Sequence, residues 1–581
     1  MVSRTDPIGE KMHKINYPQT PTGSVVDDYF GTPVADPYRW LEDVDAPGTL
    51  EWIKNQNEVT YKYLAQIPAR DRLRKRLTVL WDYPRAMTIH HRGQRYFQFR
   101  NSGLQNQDVL YVMGDQKDPG QVLLDPNKLS EDGTAALNSW SVSEDGNWLA
   151  YAISHSGSDW MEWHIRDISS GEELPEKLEW SKFSGAAWAH DNSGFYYSRY
   201  APPAKGEVYQ EANYNQTVCF HRLKTQQNAD LLIYARPDQP EWGFYPEVSL
   251  DGCYLVLAVS QGTDTRNRLF YKDLHKDDEV VELISDLEAA YFFIGNDETV
   301  FYFQTDLKTP RGSLLAIDIT QPERSRWKTL IPEGADTLEA VTIINDQFVT
   351  IYLQDAHELL KRFSLEGTFL GEIQLPMLGS VTYGYGSTLA GRREDKEMFF
   401  LFHSFAQPVT VLRYDFEGDT SESVFKPAIA FDFSPFVTRQ VFVTSKDGTK
   451  IPMFLVHRVD LKLDGKNPTL LYGYGGFNIS QTPTFSISRV AWLDMGGVYA
   501  VAVLRGGGEY GEEWHKGGMI RNKQNVFDDF IACSEWLIAR KICSTSRLAI
   551  EGRSNGGLLV GACMTQRPDL FGACLPIVGV M

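Results

Sequence analysis

A pattern of short β-strands repeats along more than half of the chain. Between about Leu77 and Phe431, runs of alternating apolar and polar residues are separated by turn residues, and almost no helical period is visible. Such alternation is typical of strands that bury one face. Three turns resemble each other, because each places an aspartate and a glycine before a strand rich in aromatic and aliphatic residues. They lie at 143–146, 190–194 and 249–252.

The spacing of these turns predicts a propeller. They are about 46 and then about 60 residues apart, close to the length of one four-stranded blade. Several units also end in an aspartate followed by an apolar residue, as at Asp167, Asp273, Asp318 and Asp415. About 355 residues at roughly 50 per blade make seven blades. We therefore predict a seven-bladed β-propeller over 76–431, and the alternative is a stacked array of β-sandwiches with similar turns.

From about Val437 the pattern changes, and apolar strands alternate with helical stretches. In the helix predicted over 525–540, Asn525 is a candidate N-cap and one face is apolar. Alternating strands and helices predict a doubly wound α/β domain, which we place at 432–581. The predicted strands are Gln440 to Thr444, Ile451 to His457, Pro468 to Tyr472, Val498 to Leu504, Leu548 to Ile550 and Ala573 to Val578.

A serine stands between a strand and a helix in this second region. The run Leu548 to Ile550 suits a buried strand, and Gly557 to Met564 suits a helix of small residues packed on a sheet. Between them, Gly552, Ser554 and Gly556 form a Gly-x-Ser-x-Gly nucleophile elbow. Side chains at the two glycine positions would collide with neighbouring backbone in so sharp a turn. The motif predicts a nucleophile at Ser554, and the alternative is a chance match in a glycine-rich chain.

An aromatic and glycine-rich segment, Tyr472 to Phe477, follows a strand about 80 residues before the elbow. In the α/β-hydrolase plan, the loop after the third strand helps to form the oxyanion hole. Its glycines let the backbone approach a substrate, and a tyrosine hydroxyl could donate to a developing oxyanion. The alternative is an aromatic turn that serves only packing.

A second glycine-rich segment, Gly506 to Gly511, matches the Gly-x-Gly-x-x-Gly pattern of dinucleotide-binding loops, with Asp528 about 20 residues further on. The match is weak, because residues 512–518 do not open an apolar helix and Asp528 falls in a predicted helix. We interpret 506–511 as a structural loop. The histidines have no metal-ligand spacing, so we expect neither a cofactor nor a metal.

The N-terminal segment, 1–75, has no core of its own. From about Ala46 it shows a helical pattern in which Leu50, Ile53, Tyr61 and Leu64 mark a mostly apolar face. A helix with one apolar face is stable only when that face is covered. We therefore expect this segment to pack on another domain.

Charge and cysteine usage narrow the partners and the compartment. The chain has 76 acidic and 57 basic residues, a net charge of −19, which argues against nucleic acid or an anionic membrane as a partner. The six cysteines form no Cys-x-x-Cys pair, and four have surroundings typical of buried thiols. Residues 1–25, which include Asp6, Glu10, Lys11 and Lys14, contain no apolar leader, and no apolar run is long enough to span a bilayer. We expect a soluble cytoplasmic protein.

A nucleophilic serine needs a base to accept its proton. In α/β hydrolases the chain order is serine, then an acid, then histidine. After Ser554 this sequence contains one acid, Asp569, and no histidine. The elbow is therefore present without its expected base.

The elbow, the segments 472–477, 36–42 and 505–518, and the repeated strands together resemble prolyl oligopeptidase, a family of cytosolic serine peptidases that cut after proline. The resemblance covers nearly the whole chain. It implies a seven-bladed propeller over the active site of an α/β-hydrolase domain, with the N-terminal segment packed on that domain. It also implies short proline-containing peptides as substrates, and we expect a monomer.

Matching positions carry over the family's site residues. Ser554 resembles the nucleophile, and the Asn555 backbone N–H and the Tyr474 hydroxyl resemble the two oxyanion donors. Phe477 and Val580 resemble walls of the proline pocket. Phe183 resembles a propeller residue that reaches the substrate.

The sequence departs from the family pattern in three respects. Arg553 stands where many members have glycine, which questions the local packing of the elbow. Thr263 stands where some members carry a cysteine near the active site. The family's acid, histidine and further substrate-binding residues would fall beyond residue 581, so we expect a chain that lacks the C-terminal part of the hydrolase domain and is inactive as given.

Other functions stay open. Within the family, a basic-residue oligopeptidase or an acylaminoacyl peptidase is the nearest alternative, and Asn555 together with Phe477 favours proline. From another class, a catalytically silent propeller that only binds peptides would also fit a chain without its base.

Overall fold

A computed structural model describes residues 15–203, 213–384 and 386–580. The positions on which the absence of a leader was argued, Asp6, Glu10, Lys11 and Lys14, lie outside these residues. The chain divides between Val79 and Leu80 into two compact units. Short 3-10 turns occur at Arg39–Glu42, Pro126–Lys128, Gln227–Ala229, Arg324–Arg326, Ile520–Asn522, Thr545–Arg547 and Pro568–Leu570.

The first unit contains a hairpin and helices. Strands β1 (Val25–Tyr29) and β2 (Thr32–Asp36) pair antiparallel, and α1 (Pro47–Ala65) and α2 (Arg70–Trp81) follow. Arg39 ties the hairpin to the next turn, because its guanidinium bonds Asp36 at 2.7 Å and also pairs with Asp27. The helix predicted from Ala46 is confirmed, and its packing on the hydrolase domain stays a prediction.

The second unit begins with six four-stranded antiparallel sheets, counted over the described residues. Blade 1 comprises β3 (Arg85–Arg92), β4 (Arg95–Asn101), β5 (Val109–Met113) and β6 (Gln121–Leu124), and blade 2 comprises β7 (Ala135–Val142), β8 (Trp148–His155), β9 (Met161–Asp167) and β10 (Leu178–Ser181). Blade 3 comprises β11 (Ala187–Trp188), β12 (Gly194–Arg199), β13 (Thr217–Arg222) and β14 (Leu231–Ala235), and blade 4 comprises β15 (Trp242–Val248), β16 (Tyr254–Gln261), β17 (Arg268–Asp273) and β18 (Val281–Ile284). Blade 5 comprises β19 (Tyr291–Asp297), β20 (Val300–Thr305), β21 (Ser313–Asp318) and β22 (Lys328–Ile331), and blade 6 comprises β23 (Thr337–Ile344), β24 (Gln347–Gln354), β25 (His357–Ser364) and β26 (Phe369–Ile373).

A seventh sheet completes the propeller. It contains β29 (Glu397–Ser404), β30 (Gln407–Asp415) and β31 (Thr420–Phe425), and a small hairpin of β27 (Thr382–Tyr383) and β28 (Gly386–Ser387) precedes it. Isolated bridges from Ser380 to His403 and from Ala390 to Phe399 extend its inner edge. The predicted seven-bladed propeller is confirmed.

The repeated turns have a common polar cause. In blade 2, Asp145 Oδ1 accepts from the Ser143 hydroxyl at 2.6 Å and from the Asn147 amide at 3.0 Å. In blade 4, Asp251 Oδ1 accepts from the Ser249 hydroxyl at 2.6 Å and from a backbone amide two residues later at 3.0 Å. Each aspartate therefore satisfies the donors of its own turn, which explains the recurring signature.

The propeller closes where blade 7 meets blade 1. His91 Nδ1 in blade 1 lies 3.0 Å from Asp395 Oδ1 before blade 7. Two small buried clusters cross the same boundary, Ala86 with Leu401 and Val411, and Ile89 with Met113 and Phe399. Side-chain contacts thus close the ring.

The rest of the second unit is a six-stranded mixed sheet with helices. Its order is β32-β33-β35-β34-β36-β37, with the last three neighbouring pairs parallel. Its elements are β32 (Phe436–Thr444), β33 (Lys450–Arg458), β34 (Thr469–Tyr472), α3 (Ile487–Asp494), β35 (Val498–Ala502), α4 (Glu512–Lys516), α5 (Lys523–Ala539), β36 (Leu548–Arg553), α6 (Asn555–Gln566) and β37 (Ala573–Ile577).

The predicted α/β-hydrolase domain is confirmed, and all six predicted strands are found. The predicted N-cap of its long helix is wrong. Helix α5 begins at Lys523, so Asn525 lies inside the first turn, and its amide donates to Gly517 O at 2.9 Å instead of capping. Residues 520–522 form a 3-10 turn that leads directly into α5, which moves the start earlier than the apolar period indicates.

Four cysteines are buried, Cys219, Cys533, Cys543 and Cys563, and all six are free thiols. This confirms the sequence prediction of buried thiols. Burial raises the pKa of Cys543 to about 11 and that of Cys533 well above its usual value. Among the described residues, no helix is both long and apolar enough to cross a membrane.

Candidate active site

Ser554 occupies a strained turn at the carboxyl end of β36. Its backbone lies at φ 52° and ψ −118°, and α6 begins at the next residue. A non-glycine residue adopts a positive φ of this kind only when its surroundings hold it there. A Cβ on Gly552 would lie 2.1 Å from Gly556 O, and one on Gly556 would lie 2.6 Å from Gly473 O. Both glycines are therefore required by close backbone approach, as the motif predicts.

The elbow leaves the Ser554 hydroxyl and the Asn555 backbone N–H free to interact with a substrate. The Ser554 amide donates to Ile577 O at 3.0 Å, which anchors the turn to β37. Within the described part of the chain, neither Ser554 Oγ nor the Asn555 N–H has a hydrogen-bond partner. The first amides of a helix have no acceptor inside the helix and attract negative charge. The Asn555 N–H is thus free to donate to an oxyanion beside Ser554.

A buried ion pair supports the strand that leads into the elbow. Arg489 of α3 donates to both carboxylate oxygens of Glu551, at 2.9 and 2.8 Å. Such a fork fixes orientation as well as distance. Arg553 is exposed and lies 3.8 Å from the same carboxylate. The elbow therefore accommodates Arg553 on its outer side.

The predicted oxyanion loop, residues 472–477, is attached directly to the elbow. The Asn555 side-chain amide donates to Tyr474 O at 2.7 Å. A Cβ on Gly476 would lie 2.5 Å from that same amide nitrogen, so a side chain here would displace Asn555. Tyr474 is half-buried. Asn555 thus offers its backbone amide to the site while its side chain holds the loop that carries Tyr474, and the donor role of Tyr474 stays a prediction.

Lys523 joins the same two segments, and the sequence reasoning missed it. Its ammonium donates to Gly475 O at 2.8 Å and to Asn555 Oδ1 at 2.9 Å. A signal was available in the sequence, because a lysine at the start of a helix opposes the helix dipole. Because the apolar pattern places the helix start at Asn525, Lys523 falls outside the predicted helix, and the pattern does not reveal the conflict with the dipole.

Phe477 lies in a large cavity between the propeller and the hydrolase sheet. The cavity has a volume of about 1300 Å³, and Asn555, Lys523 and Thr263 also line it. Phe477 has φ 54° and a side chain that is 53 % exposed. An exposed aromatic ring beside the elbow is suited to contact an apolar substrate group. Thr263 lines the same cavity.

The other two predicted substrate residues, Val580 and Phe183, lie in different parts of the structure. The Val580 amide donates to Ser554 O at 3.4 Å, which places this residue beside the elbow, and its side chain is exposed. Phe183 lines a separate cavity of about 300 Å³ inside the propeller, together with Asp159 and Tyr245. The fold therefore brings Phe477 and Val580 near Ser554 and leaves Phe183 on the propeller side. All three substrate roles stay predictions.

The glycine-rich loop 506–511 connects the two domains. Gly511 has φ 81°, and a Cβ there would lie 2.1 Å from Pro310 O of the propeller. The next amide, that of Glu512, donates to Pro310 O at 2.7 Å. The helix that follows has five residues and is charged, and Asp528 lies inside α5. These contacts agree with the interpretation of a structural loop. His515 in the short helix is buried and bonds Glu512 at 3.0 Å.

A β-propeller joined to an α/β-hydrolase domain with a serine elbow places the chain in the class of α/β hydrolases that carry a propeller domain. Family models identify it further. The model for the N-terminal β-propeller domain of prolyl oligopeptidase matches residues 18–427, and the model for the prolyl oligopeptidase family matches 483–581. The chain belongs to the prolyl oligopeptidase family.

Individual relatives agree with this assignment. The chain is 40% identical over 567 residues to a prolyl endopeptidase of Elizabethkingia meningoseptica, covering 98% of this chain and 79% of that protein. It is 30% identical to a prolyl endopeptidase of Dictyostelium discoideum, covering 98% and 84%. The solved structure of prolyl oligopeptidase B from Galerina marginata, bound to a 25mer macrocyclization substrate, matches with TM-score 0.91 and 32% identity over 97% of this chain and 82% of that chain.

Proposed function

We propose that this protein is a serine endopeptidase that cleaves short peptides on the carboxyl side of proline, through an acyl-enzyme on Ser554. The observation that carries the proposal is the positive φ of Ser554 at the junction of β36 and α6. A strained serine at this point presents its hydroxyl above the sheet, where a substrate carbonyl can reach it. Membership of a family with relatives named prolyl endopeptidases supports proline as the residue before the cleaved bond.

In the proposed reaction, Ser554 Oγ attacks the carbonyl carbon of proline while a histidine accepts the hydroxyl proton. The oxygen that becomes negative accepts hydrogen bonds from the Asn555 N–H and the Tyr474 hydroxyl. The peptide bond then breaks, the amine leaves with the proton from histidine, and water hydrolyses the ester. Phe477 and Val580 would enclose the proline ring, and Phe183 would contact the peptide from the propeller.

Among the described residues, no contact provides Ser554 with a general base. The proposed assignment places the acid and the histidine beyond residue 581. We therefore expect a chain extended past that point with both residues, hereafter the extended chain, to hydrolyse substrate. Residues 1–581 alone should neither hydrolyse substrate nor react at Ser554 with a fluorophosphonate at a comparable rate, since losing the base of a triad costs about 10⁶-fold in kcat.

The proposed domains are 1–75, 76–431 and 432–581. A cytoplasmic location and a monomeric state are also part of the proposal.

The test is a substrate panel on the extended chain, with a chromogenic group after Gly-Pro, Gly-Lys or an N-acetylated alanine. We expect Gly-Pro to be preferred and Ser554→Ala to lower kcat by about 10⁶-fold. Ser546→Ala, on an exposed serine of the same domain, is the matched control and should leave kcat unchanged. Preference for lysine or for the acetylated residue would replace the proline assignment, and activity that survives Ser554→Ala would exclude the nucleophile.

A further inference from the structure

Lys523 is a partly buried cation beside the elbow. It is the first residue of α5 and lines the cavity that also contains Phe477 and Asn555. Its ammonium has two acceptors, Gly475 O at 2.8 Å and Asn555 Oδ1 at 2.9 Å. Over the described residues, no carboxylate lies within ion-pair distance of it, whereas the nearby Lys516 has Glu512 at 3.6 Å. Lys523 therefore donates its hydrogen bonds to neutral oxygens of the site.

This placement is unfavourable for a lysine in two ways. The start of α5 carries the positive end of the helix dipole, which repels an ammonium group. Burial lowers the pKa of Lys523 to about 8, because removing a charge from water disfavours the charged form. An uncompensated local cost of this kind is expected where a residue serves function.

The two acceptors of Lys523 belong to the two segments that carry the proposed oxyanion donors. Gly475 follows Tyr474 in the loop and has φ 64°, and a Cβ there would lie 2.3 Å from a methyl carbon of Val526, one turn after Lys523. Asn555 follows Ser554, and its side-chain Nδ2 donates to Tyr474 O at 2.7 Å. Lys523, Asn555 and the loop backbone thus form a closed set of three hydrogen bonds.

From this geometry we propose that Lys523 is a positioning residue, which holds the Tyr474 loop and the Asn555 amide at the mutual distance that an oxyanion requires. The inference rests on the proposed function of these two donors. Oxyanion donors act only when they lie about 2.7–3.1 Å from the developing charge. A displacement of about 1 Å in a positioned group can lower the rate by about 10²-fold, so a residue that touches no substrate can still control kcat.

The first experiment measures the loop without requiring activity. Amide hydrogen exchange of the 1–581 chain is compared for Lys523→Met, Lys523→Arg and the control Lys541→Met, whose lysine is exposed after α5. We expect Lys523→Met to speed exchange about 10-fold in residues 473–478 and 555–558, since local opening governs exchange there. Lys523→Arg should retain most of the protection, and Lys541→Met should change nothing. If Lys523→Met does not fold, Lys523→Gln replaces it. Unchanged exchange in the loop would overturn the proposal.

The second experiment measures whether loosening the Tyr474 loop weakens stabilisation of the transition state. In the extended chain, Lys523→Met should lower kcat by about 10-fold with KM within about twofold. Its affinity for a peptide aldehyde ending in prolinal, which forms a tetrahedral adduct with Ser554, should fall by the same factor as kcat/KM. Lys523→Arg should restore most of both. In a Tyr474→Phe background the effect of Lys523→Met should shrink, because both changes disable one unit.

The outcomes separate the two proposals. Aldehyde affinity that is unchanged while KM rises would show a substrate contact or a merely structural role, and would overturn positioning. An extended chain without any proline activity would overturn the proposed function, and the exchange result would then decide the positioning role by itself.

Discussion

The propeller and the hydrolase domain stabilise themselves in different ways. The propeller distributes its apolar contacts over several separate clusters between neighbouring blades, such as the one formed by Trp163, Phe195 and Tyr197. The hydrolase domain places α5 and α6 on its sheet around the largest cluster of the described residues, in which Phe530 and Leu559 are fully buried, and a second cluster contains Phe454 and Tyr499. A local change should therefore remain local in the propeller and spread through the hydrolase domain.

Polar groups show the same contrast. Propeller turns satisfy their donors with the aspartate of the same turn, as at Asp145 and Asp251. The hydrolase domain instead connects distant segments through buried charges, since Asp529 of α5 binds Arg505 at 2.6 Å and also accepts from Ser445. The strained turn at Ser554 lies in the domain that contains these long-range ion pairs.

The largest expected effect tests the buried ion pair that connects distant segments of the hydrolase domain. Asp529→Ala should lower the free energy of unfolding of the hydrolase domain by about 3–5 kcal/mol, because the buried Arg505 would lose its buried partner and keep only the half-exposed Asp447. Asp529 is completely buried, whereas Asp447, which binds the same arginine at 2.5 Å, is 46 % exposed. Asp447→Ala is therefore the matched control, with a loss of under about 1 kcal/mol. Urea unfolding followed by hydrogen exchange resolves the domains, and equal losses for both variants would contradict the comparison.

The next prediction concerns the chemistry that the hydrolase domain supports. In the extended chain, Tyr474→Phe should lower kcat on a Gly-Pro substrate by on the order of 10²-fold, the loss typical of one oxyanion donor. KM should change little, since the oxyanion exists only in the transition state. Tyr472→Phe, at the end of β34 just before this loop, is the control. Turnover that is unchanged in Tyr474→Phe would remove this hydroxyl from the proposed site.

A smaller effect is expected where the hydrolase loop contacts the propeller. Glu509 is buried, its backbone oxygen accepts from Thr337 at 3.2 Å, and burial raises its pKa to about 7. A raised carboxyl pKa stabilises the fold below about pH 4.5, and this contribution is lost as pH rises to 7, because only the unfolded chain releases the proton.

The corresponding variant is Glu509→Gln, which stays neutral at every pH. It should be more stable than the parent by about 2 kcal/mol at pH 6 and equal to it near pH 4, since pH 6 lies about 1.5 units above the unfolded-state pKa and one unit corresponds to about 1.4 kcal/mol. Thermal unfolding across this pH range measures the difference. Glu513→Gln, on an exposed neighbour, should show no such trend, and a parallel pH trend in both variants would refute the assignment to Glu509.

The smallest effect is expected at the closure of the propeller. Hydrogen bonding to Asp395 raises the pKa of His91. This pair therefore stabilises the fold below about pH 6.5, and the contribution disappears as pH rises through the raised pKa. His91→Gln should cost less than about 1 kcal/mol at pH 6 and nothing at pH 9. Exchange in strands β3 and β29 should report it. The variant His164→Gln, whose partner Glu162 lies in the same blade at 2.8 Å, should leave those strands unchanged.

Much of the fold could be predicted because its causes are local. Alternation and turn residues indicate the blades, and each turn aspartate acts within its own turn, as at Asp145. The elbow could be predicted because Gly552 is constrained by the backbone of Gly556 within the same turn. The start of α5 was misplaced, because the 3-10 turn before Lys523 has no apolar period to indicate it.

The sequence by itself determined the order of strands and helices, the number of blades, the position of Ser554 in a strand-to-helix turn, and the burial of four thiols. Only the tertiary structure decided that Lys523 and Asn555 hold the 472–477 loop, that Gly511 lies against Pro310, and that Phe183 and Phe477 line different cavities. The physical reason is range. Periodicity and turn chemistry act between residues near each other in sequence, whereas a lysine at a helix start acquires its partners only when the loop and the elbow, 48 and 32 residues away, have folded against it.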